Sequence, residues 1–180
     1  ADPMAPERPI GSQILAATAD NCTLLAVRGA ATFKLAPAFK QAAQAARLAG
    51  SVLIVADMEA CASMDSTFMG AIASLGFAFR KPESPQFALI NLGRSAAALL
   101  KGLGVDRILK TYAAGALPAG MGDLSRLAEN LQPVEAAAPG ARDMAALMYD
   151  AHETLTRVDP ENLQRFKDVL AFLREDLRRL

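Results

Sequence analysis

A mixed β-sheet layered with α-helices and followed by a separate pair of helices is the fold that this sequence predicts. Three observations lead to it. Short apolar runs rich in β-branched residues alternate with Ala-rich helical segments over residues 10–113. One run, "SVLIVA" from Ser51 to Ala56, is apolar at nearly every position, the mark of a strand covered on both faces. Residues 141–180 then change to a spacing of three and four between large apolar residues, which is helical.

The bulk properties bound the reading. A chain of 180 residues suffices for one domain with a core plus an appendage. With 52% hydrophobic and 21% charged residues the composition is globular. Nineteen basic residues balance 19 acidic ones, so no nucleic-acid partner is expected, since phosphate binding needs a basic excess. Cys22 and Cys61 lie in apolar contexts without a CxxC pattern and read as buried free thiols in a reducing cytoplasm. His152 is the only histidine, which argues against a histidine metal site or a Ser/His nucleophile pair. No apolar run reaches the ~18 residues of a membrane span, and no signal-peptide pattern is present. A cytoplasmic location is expected. Ala1-Asp2-Pro3 ahead of Met4 reads as a cloning remnant, and residues 1–9 as a disordered or cloning-derived N-terminus.

Taken in order, Gln13 to Ala17 and Thr23 to Arg28 form two strands around the Asp20-Asn21 turn signal, with Gly29 ending the second. Leu35 to Leu48 carries Leu35, Phe39, Ala42, Ala43 and Ala46 at helical spacing, and Gly50 stops that helix. The strand Ser51 to Ala56 leads to the corner "MDSTFMG", and a helix runs from Ser66 to about Arg80. Gln86 to Ile90 is a further buried strand, Ser95 to Lys101 a short helix, and Arg107 to Tyr112 a last short strand. Residues 114–140 read as linker with a short capped helix from Asp123 to Leu131. Ala141 to Arg157 is an amphipathic helix, and Asp159-Pro160-Glu161 begins another with an N-cap Asp and Pro at the first position. Leu163, Phe166, Leu170, Leu173, Leu177 and Leu180 line its seam. That seam packs either within the chain or in a homodimer through the C-terminal helices.

Most catalytic constellations are missing from the sequence. It has no GxxxxGK[ST], HExxH or GxSxG, and "GLGVD" from Gly102 follows a helix where a nucleotide loop would follow a strand. Asp57, at a strand end, reads as a turn-former. A non-enzyme with no cofactor and no metal is expected. The corner is the polar exception. Ser66 at a helix start would cap it by accepting a backbone N–H bond, worth about 1 kcal/mol. The same position suits an added phosphate, which a helix N-terminus stabilises.

"SVLIVADMEACASMDSTFMGAIASL", Ser51 to Leu75, resembles the central segment of STAS domains, the sulfate-transporter and anti-sigma-factor-antagonist modules. The shared pattern is an apolar strand, an Asp, a short loop, an apolar residue, then Asp-Ser-Ser/Thr-Gly-Leu-Gly opening a helix. "INLGRSAAALLKGLGVDRIL", Ile90 to Leu109, resembles the later strand–helix–Gly-Leu segment. The resemblance implies a STAS domain over residues 10–113 and a partner-switching regulator of bacterial transcription. In anti-sigma-factor antagonists the Ser after the Asp is phosphorylated by the anti-sigma factor, itself a serine protein kinase. By resemblance Ser66 is the phospho-acceptor, with Asp65, Thr67 and Gly70 supporting the switch loop. Phe68 stands where the family has its first glycine, and Met69 where it has leucine. A scaffold subunit of a transport or stress-signalling assembly, never phosphorylated, is the alternative.

On a helical wheel Phe68, Ile72, Leu75 and Phe79 share one stripe, which reads as core. Thr67, Gly70, Ala71, Ser74 and Ala78 lie opposite, too small and too uncharged for a solvated face. Ala71 and Ser74 on that face, Phe77 off the apolar stripe and Phe68 at the family's glycine position are the expected partner-binding residues. An external partner or the hairpin of residues 141–180 would cover this face, and a hairpin there would hide Ser66.

Overall fold

The structure is a computed structural model describing residues 11–118, 121 and 124–180. The readings for residues 1–9, Ile10, Gly122 and Asp123 lie outside those residues.

Asp20 and Asn21 have φ of 52° and 62°, as a two-residue type I′ hairpin requires, so β1 (Gln13–Ala19) and β2 (Cys22–Ala31) pair antiparallel with Ala19 opposite Cys22. β2 does not stop at Gly29. That residue sits at φ 81° beside a register shift, and the strand runs on to Ala31. The bulge brings the end of β2 against β4 (Cys61–Met64), a parallel strand that the sequence reading omitted. Four residues with Ser63 among them carry too little periodicity to announce a strand.

α1 (Ala36–Leu48) ends in a Schellman motif. Gly50, at φ 92°, donates to the Arg47 carbonyl at 3.1 Å, and Ser51 to that of Ala46 at 3.0 Å. β3 (Leu53–Asp57) follows, then α2 (Ser66–Ala78), β5 (Gln86–Leu92), α3 (Arg94–Gly102), a 3₁₀ turn (Val105–Arg107) and β6 (Lys110–Ala113). Sheet order is β6-β5-β3-β2-β1, with β2, β3, β5 and β6 mutually parallel and β4 branching from β2. Ile54, Val55 and Ala56 of β3 are fully buried, as the continuous apolar run implies.

Alternation along the strands supplies two cores. Ile14, Leu25, Ile54 and Leu89 face α1 and α2, packing on Phe39, Phe68, Ile72 and Leu75. Leu24, Val55 and Ile90 face the other way, onto Leu127 of α4 (Ser125–Ala128). α4 is a single turn with no side-chain cap, shorter than the capped helix expected. The linker reading is corrected further at Gln132–Pro133, which forms β7 at the sheet edge opposite Ala16 and Leu15. Proline is tolerated there because an edge strand has one unpaired side.

α5 (Ala141–Val158) and α6 (Asn162–Arg179) form an antiparallel hairpin docked on α2 of the same chain. The expected N-cap at Asp159, with Pro160 as the first helical residue, is corrected: Glu161 is the N-cap and the helix begins at Asn162, while Asp159 accepts from Glu161 N at 3.0 Å in a turn just ahead of the helix. That bond, and beyond it the Arg107 guanidinium, holds the Asp159 carboxyl below its usual range. Phe166, Leu170 and Leu173 turn inward, but Leu163 and Leu180 are about half exposed, so the seam is shorter than predicted. Cys22 and Cys61 are free and half-buried, not fully buried, and desolvation raises both thiol pKa values. No described helix is long and apolar enough to cross a membrane.

Phe39 has no exposed surface and packs on Phe68 at a centroid distance of 4.9 Å. Phe39→Ala is expected to remove about 3–5 kcal/mol of stability, read from urea denaturation midpoints at constant slope.

Candidate functional site at the start of α2

The corner at Met64–Gly70 is held by one carboxylate. Asp65 Oδ1 accepts from Phe68 N at 2.8 Å, and Oδ2 accepts from Phe33 N, also at 2.8 Å. The Asp65 backbone N–H in turn donates to the Ala31 carbonyl at 3.0 Å. Asp65 is thus the N-cap of α2, in extended conformation, and also ties the helix start to the end of β2. The expectation that Ser66 caps the helix is corrected. Ser66 is the first helical residue, and its hydroxyl is directed elsewhere.

That hydroxyl lies 2.8 Å from His152 Nε2 of α5. His152 Nδ1 is 2.7 Å from the Met148 carbonyl, four residues back on its own helix. A carbonyl can only accept, so Nδ1 carries a proton, and in the neutral imidazole Nε2 accepts from the Ser66 O–H. Ser66 is half-buried and His152 is 2% exposed. The sequence argues against a Ser/His nucleophile pair but does not foresee this hydrogen bond, which needs only one histidine carried to the serine by a second helix. The available signal was a polar residue beside the apolar stripe of Met148, Ala151 and Leu155.

The remaining predicted residues fall on two sides of α2. Phe68 is fully buried against Phe39, on the sheet side, so it offers no surface to a partner and that expectation is corrected for the docked chain. Thr67 and Ala71 are buried as well. Gly70 faces α5 so closely that a Cβ there would overlap the Ala151 carbonyl oxygen and lie 2.6 Å from the Ala151 Cβ. Ser74 Oγ donates to Asp150 Oδ2 at 2.9 Å and lies 3.0 Å from Thr154 Oγ1. Phe77 carries the Arg157 guanidinium over its ring at 4.9 Å. The small-residue face is thus covered by the hairpin, one of the two coverings the sequence left open. Asp57 is a turn-former as expected, with Oδ1 accepting from Glu59 N and Asn91 Nδ2, both at 3.0 Å. Among the described residues no cluster of His, Cys, Asp and Glu could hold a metal ion. A surface cavity of about 570 Å³ is lined by Phe79, Phe87, Ile108 and Tyr112 and by none of the corner residues.

No family model and no curated protein sequence matches this chain. Solved structures do. An anti-sigma factor antagonist from Mycobacterium paratuberculosis superposes with a TM-score of 0.51 at 21% identity, over 58% of this chain and 88% of its own. A Thermotoga maritima protein assigned as an anti-sigma factor antagonist gives a TM-score of 0.49 at 21% identity, over 64% of this chain and 91% of its own. The chain has the STAS fold, a mixed sheet packed with helices, and carries a C-terminal helical hairpin.

Substitutions at two positions test the corner. Asp65→Ala leaves the N–H groups of Phe68 and Phe33 without their acceptor and is expected to lower stability by about 1–3 kcal/mol. Asp65→Asn, which keeps one acceptor oxygen, should lose less; thermal unfolding compares them. Gly70→Ala forces α5 away from α2, so hydrogen exchange should rise in α5 and α6 while the β3 and β5 amides stay protected.

Proposed function

We propose that this chain is a partner-switching regulator of the anti-sigma-factor-antagonist kind, whose binding to an anti-sigma factor with serine kinase activity is controlled by phosphorylation of Ser66. The observation carrying this reading is the position of Ser66: a hydroxyl at the first residue of α2, directly after an Asp cap, within a STAS fold. This is where the motif of Asp65 to Gly70 resembles the family's phosphorylated serine. A phosphate there adds roughly −1.5 to −2 charges beside the Asp65 carboxylate. The helix N-terminus offsets part of that repulsion for the protein itself, whereas a partner docked on α2 would meet it in full. Asp65 fixes the corner, Thr67 and Gly70 shape the first turns, and Ala71, Ser74 and Phe77 provide the contact face. The role is one of substrate and binding module, in the cytoplasm.

A second reading has an observation of its own. The Ser66 hydroxyl is committed to His152 and lies under α5, as suits a scaffold subunit that is never phosphorylated. Incubation with ATP and the host's serine kinase, followed by mass spectrometry, is expected to place phosphate on Ser66 and to yield none on Ser66→Ala. Partner binding should survive in Ser66→Ala and fall at least about tenfold in Ser66→Asp. Wild-type binding by both variants would favour the scaffold.

A further inference from the structure

A phospho-acceptor has to meet a kinase, yet the α2 face that carries Ser66 is already occupied. We infer that the α5–α6 hairpin is an autoinhibitory cover, a segment of the chain that competes for α2 with the kinase and the binding partner and leaves before either engages Ser66. This inference rests on the reading of Ser66 as the phospho-acceptor.

Three features of the interface support it. First, the hairpin takes hold of the reacting atom itself: the Ser66 O–H is donated to His152 Nε2, and His152 is buried, so no phosphoryl donor approaches along that line while α5 is docked. Second, α5 and α2 touch backbone to backbone at Gly70 and Ala151, leaving no space for a helix or loop of another protein between them. Third, much of the interface is of a kind that survives separation. The α2 residues uncovered would include Gly70, Ala71 and Ser74, small or hydroxyl-bearing, and Ser74 meets the hydroxyl of Thr154 and the carboxylate of Asp150. Such groups exchange their hydrogen bonds for water at little net loss.

The chain also permits the movement. The last strand of the sheet ends at Pro133, and Val134 N is still bonded to the Ile14 carbonyl at 2.9 Å. Residues 135–140 follow with no regular structure before α5 begins at Ala141. Six extended residues reach roughly 20 Å, enough to lift α5 clear while the sheet stays intact. In the docked state Leu155 is fully buried in the main core, with Phe166 half-buried against it, so the closed form dominates. The apparent affinity of any partner for α2 is then reduced by the fraction of open molecules.

A reversible lock tests this in the full-length chain. Ser74 Oγ and Thr154 Oγ1 are 3.0 Å apart, so the double variant Ser74→Cys/Thr154→Cys can close a disulfide between α2 and α5. Oxidised and reduced forms, with each single-cysteine variant as a control for Cys22 and Cys61, are incubated with γ-labelled ATP and lysate of the native host. Label at Ser66 is quantified by mass spectrometry. The expected result is loss of Ser66 label in the oxidised form and recovery on reduction. Ala151→Glu, which drives a charge against Gly70, should label about tenfold faster than the parent if the open fraction rises from about a tenth towards one. Equal labelling of oxidised and reduced forms would overturn the cover while leaving Ser66 the phospho-acceptor. Absence of Ser66 label from the reduced lock and from Ala151→Glu alike would overturn the phospho-acceptor reading and this inference with it.

Discussion

The carboxylate of Asp65 is the tie on which the rest of the corner depends. One oxygen closes the first turn of α2 and the other reaches the chain just beyond β2, so the helix axis and the sheet are fixed to each other through a single side chain. From that direction everything further along α2 follows. Phe68 is delivered to the sheet, where it meets Phe39, and Gly70 is delivered to the outside, where it meets Ala151. Ser66 falls between these two directions, which is why it is half-buried instead of lost in a core.

α2 is consequently a helix packed on two sides. Thr67 through Ala73 are all buried, a run no amphipathic surface helix would show. The inner half is held by large apolar residues, and the outer half by close approach at Gly70, hydroxyl hydrogen bonds at Ser74 and the burial of Leu155. Those two kinds of packing differ in consequence. The first is lost only with the fold, whereas the second can be exchanged for another surface of similar shape.

Much of this could be read from the residues in advance, for physical reasons. Strands buried on both faces are unmistakable in Ile54, Val55 and Ala56, and Asp20-Asn21 announces its turn because few other pairs accept positive φ twice. The small residues at Gly70, Ala71 and Ser74 signalled a covering body, since a solvated helix has no reason to omit charge there. What stayed hidden was whatever depends on pairing between distant segments. β4 and β7 are strands only because β2 and β1 lie alongside them. The cap was given to Ser66 because a serine and an aspartate in sequence are equally good acceptors; only the position of Phe33 makes Asp65 the better bridge. His152 eluded the reading because a lone histidine acquires its meaning from a partner 86 residues away.

Asn162 gives the hairpin a property that its helical faces alone would not. Its side-chain amide is 1% exposed and donates both to the Leu103 carbonyl, at 2.9 Å, and to the Leu155 carbonyl, at 2.8 Å. The bond to Leu103 anchors the tip of the hairpin to the turn after α3, about 27 Å along α5 from its covalent attachment at Gly140. A panel hinged at one edge and latched at the other does not peel gradually; it stays shut until the latch gives way. The timing of exposure at Ser66 would then be set not where the serine sits but at the far end of the lever, where the Asn162 amide holds the Leu103 carbonyl and Arg107 pairs with Asp159 at 2.9 Å.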